Sequence, residues 1–443
     1  SENVTCYYVD IARGNDNNDG TSVDRAFRTI GKARNAVRAV NQNMTNDIIV
    51  YIRAGEYYLG EDANAGYGLV FDERDSGSNG FKVIYANYNS EDVSIIGGKK
   101  ITGWTLDSGN VYKAYVGTGW KFYELFENNT RSEMARTPNE GYFTVESPVE
   151  GSEMTQFHFK AEDFIKDDSD DYQNAQVSLS SGIDYGSKII PISNIDWTNQ
   201  AVTLQYSMNE SIYEGKRYFL RGAKSFLDRP GEFYLDESTG YLYYWPTASA
   251  PIEEQTIVAP TMLNVISLDG SSPLNLVHDI EFRGLNILIS NFSKAYADGV
   301  GNVRSGLIAF DNAENNTIIN CNLMHAGYSG VTMNSYSQKN KVIDCTIDQV
   351  GHHGVYLVGD AVGTGNHASP EASYQNKYNI ISGNKITNTG LRLDDGCGVN
   401  ISQSGDNEIS YNEISNTTRS GINLMGRSFS DMDGKTFYNV AVT

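Results

Sequence analysis

Asp394 and Asp395 stand side by side in GLRLDDGCGVN (residues 390–400), flanked by glycines in a stretch otherwise built of short Asn- and Ile-rich phrases. Hydrolysis of a glycosidic bond needs such a pair. One carboxylic acid protonates the leaving oxygen and one carboxylate acts as nucleophile or base, about 5–5.5 Å apart for retention and about 6.5–9.5 Å for inversion. Repulsion between neighbouring carboxylates raises one pKa toward that of a general acid. The competing reading of adjacent aspartates is a solvated loop. Further chemistry comes from His352 and His353, which can bond sugar hydroxyls or tune an acid, and from Tyr328, whose ring can stack on a sugar. Arg419 can bind a substrate carboxylate or pair with Asp394 or Asp395.

These residues are dozens of positions apart, so something must gather them. From Asp279 onward one phrase recurs: apolar-x-x-(Cys/Asn)-x-apolar, a turn, then Gly-apolar-x-apolar. Its first part falls at Phe282/Leu285/Ile287, Ile318/Cys321/Leu323, Val342/Cys345/Ile347, Ile381/Asn384/Ile386 and Ile409/Asn412/Ile414. The second begins at Gly306, Gly330, Gly354, Gly398 and Gly421. The bare unit is about 24 residues, and inserted loops account for the excess. Short alternating strands in such a repeat predict a parallel β-helix whose coils stack about 4.8 Å apart. Helical spacing of apolar residues over ten or more positions is absent.

Stacking predicts that the turns preceding each Gly-apolar strand form one column. That column holds Asp298 in SNFSKAYADGVGNVRS, Tyr328, His352, His353, Asp394, Asp395 and Arg419. Long first and fourth turns flanking short middle ones make a cleft floored by Tyr328 and the two histidines, with Asp394 and Asp395 on a wall. A further insertion, GDAVGTGNHASPEASYQN, leaves from another bend and offers Asp360 and His367 as a second wall. A concave, polar and aromatic surface suits a sugar.

Upstream, YYVD, a polar loop and a helix carrying Phe27, Ile30, Ala33, Val37 and Val40 on one stripe predict a cap on the open end of the β-helix. The repeat disappears between about Trp120 and Pro246. The organisation read from this is all-β, with a cap and first coils over 1–119, an inserted β-rich subdomain over 120–246 and regular coils over 247–443, continuing in a C-terminal segment or second chain. Twenty-nine tyrosines, 43 glycines and nine prolines agree with strands and turns.

A formal charge of −21 makes nucleic acid and anionic membranes poor partners. No run of residues approaches the ~18 apolar positions of a membrane span. No CxxC pair marks a zinc site, and the acidic stretch around Asp168, Asp170 and Asp171 lacks EF-hand spacing, so no metal or other cofactor is expected. Cys321 and Cys345 should lie one coil apart, as a thiol stack or a disulfide. Sequons at or beside Asn129, Asn209 and Asn291 are compatible with an extracellular or cell-surface protein.

Several phrases together resemble the pectate-lyase-like superfamily of right-handed parallel β-helix carbohydrate enzymes: Val9-Asp10 with the loop Gly14 to Gly20, Phe27 to Ile30, ARTPN (135–139), RPGEFYLDESTGYLYYWP (229–246) and NEISYNEISNTTRSGINLMG (407–426). The likeness spans nearly the whole chain and is closest to glycoside hydrolase family 136, the lacto-N-biosidases, with families 120 and 141 near. It implies release of a disaccharide such as lacto-N-biose by two aspartates a few residues apart. The chain departs from this in having no Asp-x6-Asp arrangement after Asp279. The leading expectation is a glycosidase without cofactor acting on oligosaccharides through Asp394 and Asp395. One alternative is a polysaccharide lyase, with calcium on those aspartates and Arg419 as base. The other is a non-catalytic glycan-binding β-helix.

Overall fold

The computed structural model describes residues 4–61, 68–164, 172, 175–180, 186–208, 210–296, 304–360 and 376–425, and the backbone of two short strands at Phe429–Ser430 and Thr436–Phe437. The repeat folds as a parallel β-helix. One sheet stacks eight parallel strands, from Thr5–Val9 through Ile280–Arg283 to Glu408–Ser410, and a second stacks seven, from Gly55–Tyr58 to Glu413–Ser415. The third, here the site sheet, stacks Leu69–Phe71, Ile266–Asp269, Gly306–Asp311, Ser329–Asn334, Val355–Val358, Cys397–Ser402 and Ser420–Met425. Inward side chains from all three, such as Phe282, Ile287 and Phe310, build one core.

Each bend requires a left-handed backbone, which asparagine tolerates better than most residues. Asn312, Asn315, Asn320, Asn388 and Asn416 all have positive φ there. Asparagines also solve the buried polar problem at the bends. The backbone N–H groups of Ile280, Asn316, Asn340 and Asn379 donate to the Oδ1 of Asn316, Asn340, Asn379 and Asn407, each at 3.0 Å and across offsets of 36, 24, 39 and 28 residues. This ladder follows the coil length itself and was not picked out in the sequence. The anticipated column is present as well: Cys345 N–H donates to Asn384 Oδ1 at 2.8 Å and Asn384 N–H to Asn412 Oδ1 at 2.9 Å. Cys321 and Cys345 are free thiols.

The helix Ile30–Val37 packs Ile30, Ala33 and Val37 with Phe27 into the core beside Val9 and Val50, whereas Val40 is exposed. After Val93–Ile96 in the second sheet the chain leaves for a long excursion and rejoins the site sheet at Ile266–Asp269. The excursion builds three mostly antiparallel sheets. One of them pairs Thr105–Ser108 and Val111–Tyr115 with Glu133–Met134, Glu232–Asp236 and Tyr241–Tyr244, so strands from the expected first segment and the expected insertion share a sheet. The excursion occupies the same second-sheet-to-site-sheet connection that in a later coil carries Asp394 and Asp395. It therefore overhangs that edge, where the N–H of Ile189 bonds the carbonyl of Tyr296 at 2.7 Å and the Tyr296 N–H returns to the Ile189 carbonyl at 2.6 Å. Among the described residues no helix is long and apolar enough to cross a membrane.

Two buried imidazoles make the fold acid-sensitive. His325 packs against Phe126 with ring centroids 4.9 Å apart; burial, then the nearby Arg131 charge, pushes its pKa down to about 4. His353 is held well below the usual range by burial and by His352. Unfolding lets both titrate normally, so between pH ~6.5 and ~4 the unfolded chain binds more protons and stability falls with pH. His325 alone contributes a loss on the order of 3 kcal/mol across that window. Denaturant melts should show the midpoint falling from pH 7 to pH 4, and His325→Phe should flatten the slope. An unchanged slope would mean another group titrates.

Candidate functional site

The loop 390–396 joins Lys385–Thr387 to Cys397–Ser402 and is fastened on several sides. Gly390, at φ +78°, donates its N–H to the His352 carbonyl at 2.8 Å; a Cβ there would lie 1.8 Å from Thr418 Oγ1, so only glycine lets the loop pass. The N–H groups of Arg392 and Leu393 both donate to the Gly351 carbonyl, at 2.9 and 3.0 Å. Leu393 is fully buried in a cluster with Phe292, Tyr244 and Trp104. Arg392 makes a bidentate pair with Glu124, Nε to Oε1 at 2.6 Å and Nη2 to Oε2 at 2.9 Å. Glu124 also accepts from Arg131 at 2.5 Å, and Arg131 donates to the carbonyls of Ala326 at 3.0 Å and Gln349 at 2.7 Å. Three buried charges thus tie the acid loop to the excursion and to two coils.

On this support the two aspartates meet different surroundings. Asp394 N–H donates to Ser187 Oγ at 3.1 Å. Its carboxyl is raised above the usual aspartate range by burial and by Asp395, against a lowering pull from Arg217 and a bond from Ser180. Asp395 Oδ1 accepts from His352 Nε2 at 3.0 Å. Burial opposes its ionisation, yet the His352 ring, helped by Lys188, holds its carboxyl well below the usual range. The neighbours are therefore pulled in opposite directions, Asp394 toward keeping its proton and Asp395 toward ionisation, a difference that acid/base chemistry uses.

Behind Asp395 the His352 ring lies 3.6 Å, centroid to centroid, from His353. His353 Nδ1 accepts the Cys397 N–H at 3.0 Å and Nε2 lies 2.9 Å from the Asn400 amide. The Asn400 atom at that distance is Nδ2, and Asn400 Oδ1 accepts from Asn423 Nδ2 at 2.8 Å. Tyr356 packs edge-on to His353 at 4.6 Å. Arg419 donates its N–H to the Gly396 carbonyl at 3.0 Å, and its charge bears on His353 and Cys397.

The fold thus gathers Asp394, Asp395, His352, His353 and Arg419, but His352 and His353 are buried, at 2 and 1% exposure, and back the aspartates in place of flooring an open cleft. Tyr328 is placed otherwise: it has no exposed surface, stacks on Phe292 at 4.5 Å and bonds Ser293 through its hydroxyl at 2.5 Å. It is core beneath the site and not a cleft floor, because the excursion and Phe292 cover that bend. Asp360 lies at the far ends of the strands, paired with Arg304 at 3.3 Å. Asp298, His367 and the Asp168, Asp170, Asp171 stretch fall outside the described residues. Sequence reasoning missed Ser180, Ser187, Lys188 and Arg217, which arrive from the excursion, and the Arg392–Glu124–Arg131 network. Arg392 was visible inside the quoted loop, but nothing local marked Glu124 as its partner.

With this geometry in view, the relatives are informative. Residues 268–439, essentially the repeat, match the family described as "Periplasmic copper-binding protein (NosD)". No curated protein sequence matches the chain. A solved structure titled "Glycoside hydrolase" superposes with a TM-score of 0.78 at 16% identity, covering 96% of this chain and 80% of that one. XylC in complex with xylose aligns at 11% identity and a TM-score of 0.45 over 95% of this chain and 64% of that one. The GH136 lacto-N-biosidase from Eubacterium ramulus aligns at 11% identity and a TM-score of 0.28 over 92% and 45%. The first likeness shows a shared fold. For copper, the donor set does not fit: no three His, Cys, Asp or Glu side chains among the described residues are placed to hold a metal ion.

Proposed function

We propose that this protein is a glycoside hydrolase acting on neutral oligosaccharides, with Asp394 as general acid and Asp395 as the ionised partner. The observation carrying this reading is the placement of two adjacent aspartates in unlike surroundings on one fastened loop, Asp395 bonded by His352 and Asp394 buried beside Ser187. Asp394 delivers its proton to the glycosidic oxygen as the bond to the anomeric carbon breaks. Asp395, held by His352, attacks that carbon or deprotonates the water that does, and water ends on the released sugar. A fold shared with a structure titled "Glycoside hydrolase" supports the class. The net charge of −21 disfavours polyuronates, which a lyase would cleave. Substrates that release lacto-N-biose come first for assay because of the resemblance to family 136, and an extracellular or cell-surface setting accords with such substrates.

The test is incubation with a panel of neutral oligosaccharides, reading both new reducing ends and ultraviolet absorbance. Reducing ends without an absorbing product are expected. An unsaturated, ultraviolet-absorbing product abolished by chelator would replace the hydrolase with a calcium-dependent lyase, and binding without cleavage would replace it with a glycan-binding protein.

A further inference from the structure

At the edge of the site sheet remote from Asp394 and Asp395, carboxylates occupy consecutive coils. Asp269 pairs in register with Asp311. Leu268 pairs with Phe71, which puts Asp72 next in the column on one side. Phe310 pairs with Met333, which puts Asn334 next on the other. The preceding Phe71, Leu268, Phe310 and Met333 lie in the core, so this column faces outward. Like charges on neighbouring strands about 4.8 Å apart repel, so the column weakens the sheet that carries it.

Asp72 is neutralised by Arg74 at 2.6 Å, and Asp360 by Arg304. Asp311 has no ion-pair partner among the described residues; burial, then Asp269 and Asp360, pushes its carboxyl up to about 6. A second, independent feature lies beside it. Asn334 is 5% exposed and donates Nδ2 to the Arg304 carbonyl at 3.1 Å, while its Oδ1 is buried with no partner among the described residues. Native proteins rarely leave a buried amide oxygen unmet, so a donor from outside the chain belongs there.

We propose that Asp269, Asp311 and Asn334 form a distal subsite that binds vicinal hydroxyls of a neutral oligosaccharide, away from the bond cleaved at Asp394 and Asp395. The inference rests on the hydrolase reading for its substrate class. Hydroxyl donors satisfy Asn334 Oδ1 and the Asp269 carboxylate, while Asp311 offers a proton or a lone pair. A six-residue strand spans about 20 Å, so one chain engaging both ends of the sheet is several sugars long.

The test is calorimetric titration of the full chain with neutral oligosaccharides from disaccharide upward, on the wild type, Asp311→Asn and Asn334→Ala. Both variants should weaken binding of the longest chains about tenfold and leave disaccharide binding unchanged. Asp311→Asn should also melt no lower than wild type above pH ~6. The raised carboxyl stabilises the fold only while protonated, and that contribution is lost as pH rises from ~4 to ~6. Equal weakening at every length, or none at any, overturns the subsite. So does calcium chloride alone stabilising wild type but not Asp311→Asn, which marks a cation site. Length-dependent binding without turnover would sink the hydrolase and keep the subsite; turnover without length dependence does the reverse.

Discussion

Asp394→Asn and Asp395→Asn should each lower kcat on an oligosaccharide by about 10²–10⁴-fold, the usual yield of a positioned acid or base. The two losses are distinguishable. An aryl glycoside with a good leaving group needs no protonation, so it should restore much of the Asp394→Asn rate and none of the Asp395→Asn rate. The pH profile separates the roles again. Asp394 acts while protonated and its carboxyl is raised, so activity should persist above the ordinary aspartate range and fall as pH rises through that raised value. Asp395 acts while ionised and is held low by His352, so the acid limb should lie well below the ordinary range. His352→Ala removes that hold and should move the acid limb upward. If instead both variants keep wild-type rates on every substrate, the loop is the solvated surface that its composition also allowed.

Arg392→Met should cost about 3–5 kcal/mol of stability, because it leaves Glu124 buried with an incomplete set of partners. The side chains of Glu124, Arg392 and Arg131 are 0, 6 and 8% exposed, so water does not screen the loss. Arg392→Lys keeps the charge but not the fork and should cost less. Urea unfolding measures both. Turnover measured well below the melting point should still drop in Arg392→Lys, since the loop bearing both aspartates loses its bidentate tie. Full turnover in that variant would show that the backbone bonds to Gly351 and His352 are enough to hold the loop.

The coils were legible because a β-helix writes its period into the chain: each coil repeats inward apolar positions and an Asn or Cys at the same bend, and Ile318, Val342 and Ile381 do stack. The conspicuous aspartates were legible because charge interrupts that pattern. Tyr328 shows where this reasoning stops. Its place in the turn column is correct, but exposure depends on what covers the turn, and the cover comes from Phe292 and an excursion far away in sequence. The Asn316 ladder is equally regular, yet in a chain this rich in asparagine nothing local sets its members apart from asparagines at the surface.

Local sequence determined the coil, its bends and the choice of Asp394 and Asp395, since periodicity and charge are properties of neighbouring residues. Only the tertiary structure decided what those aspartates are chemically. Their opposite shifts arise from the burial of Asp394 and from His352 and Lys188 beside Asp395, brought about by coil stacking and by the folding back of an excursion that no short-range pattern encodes.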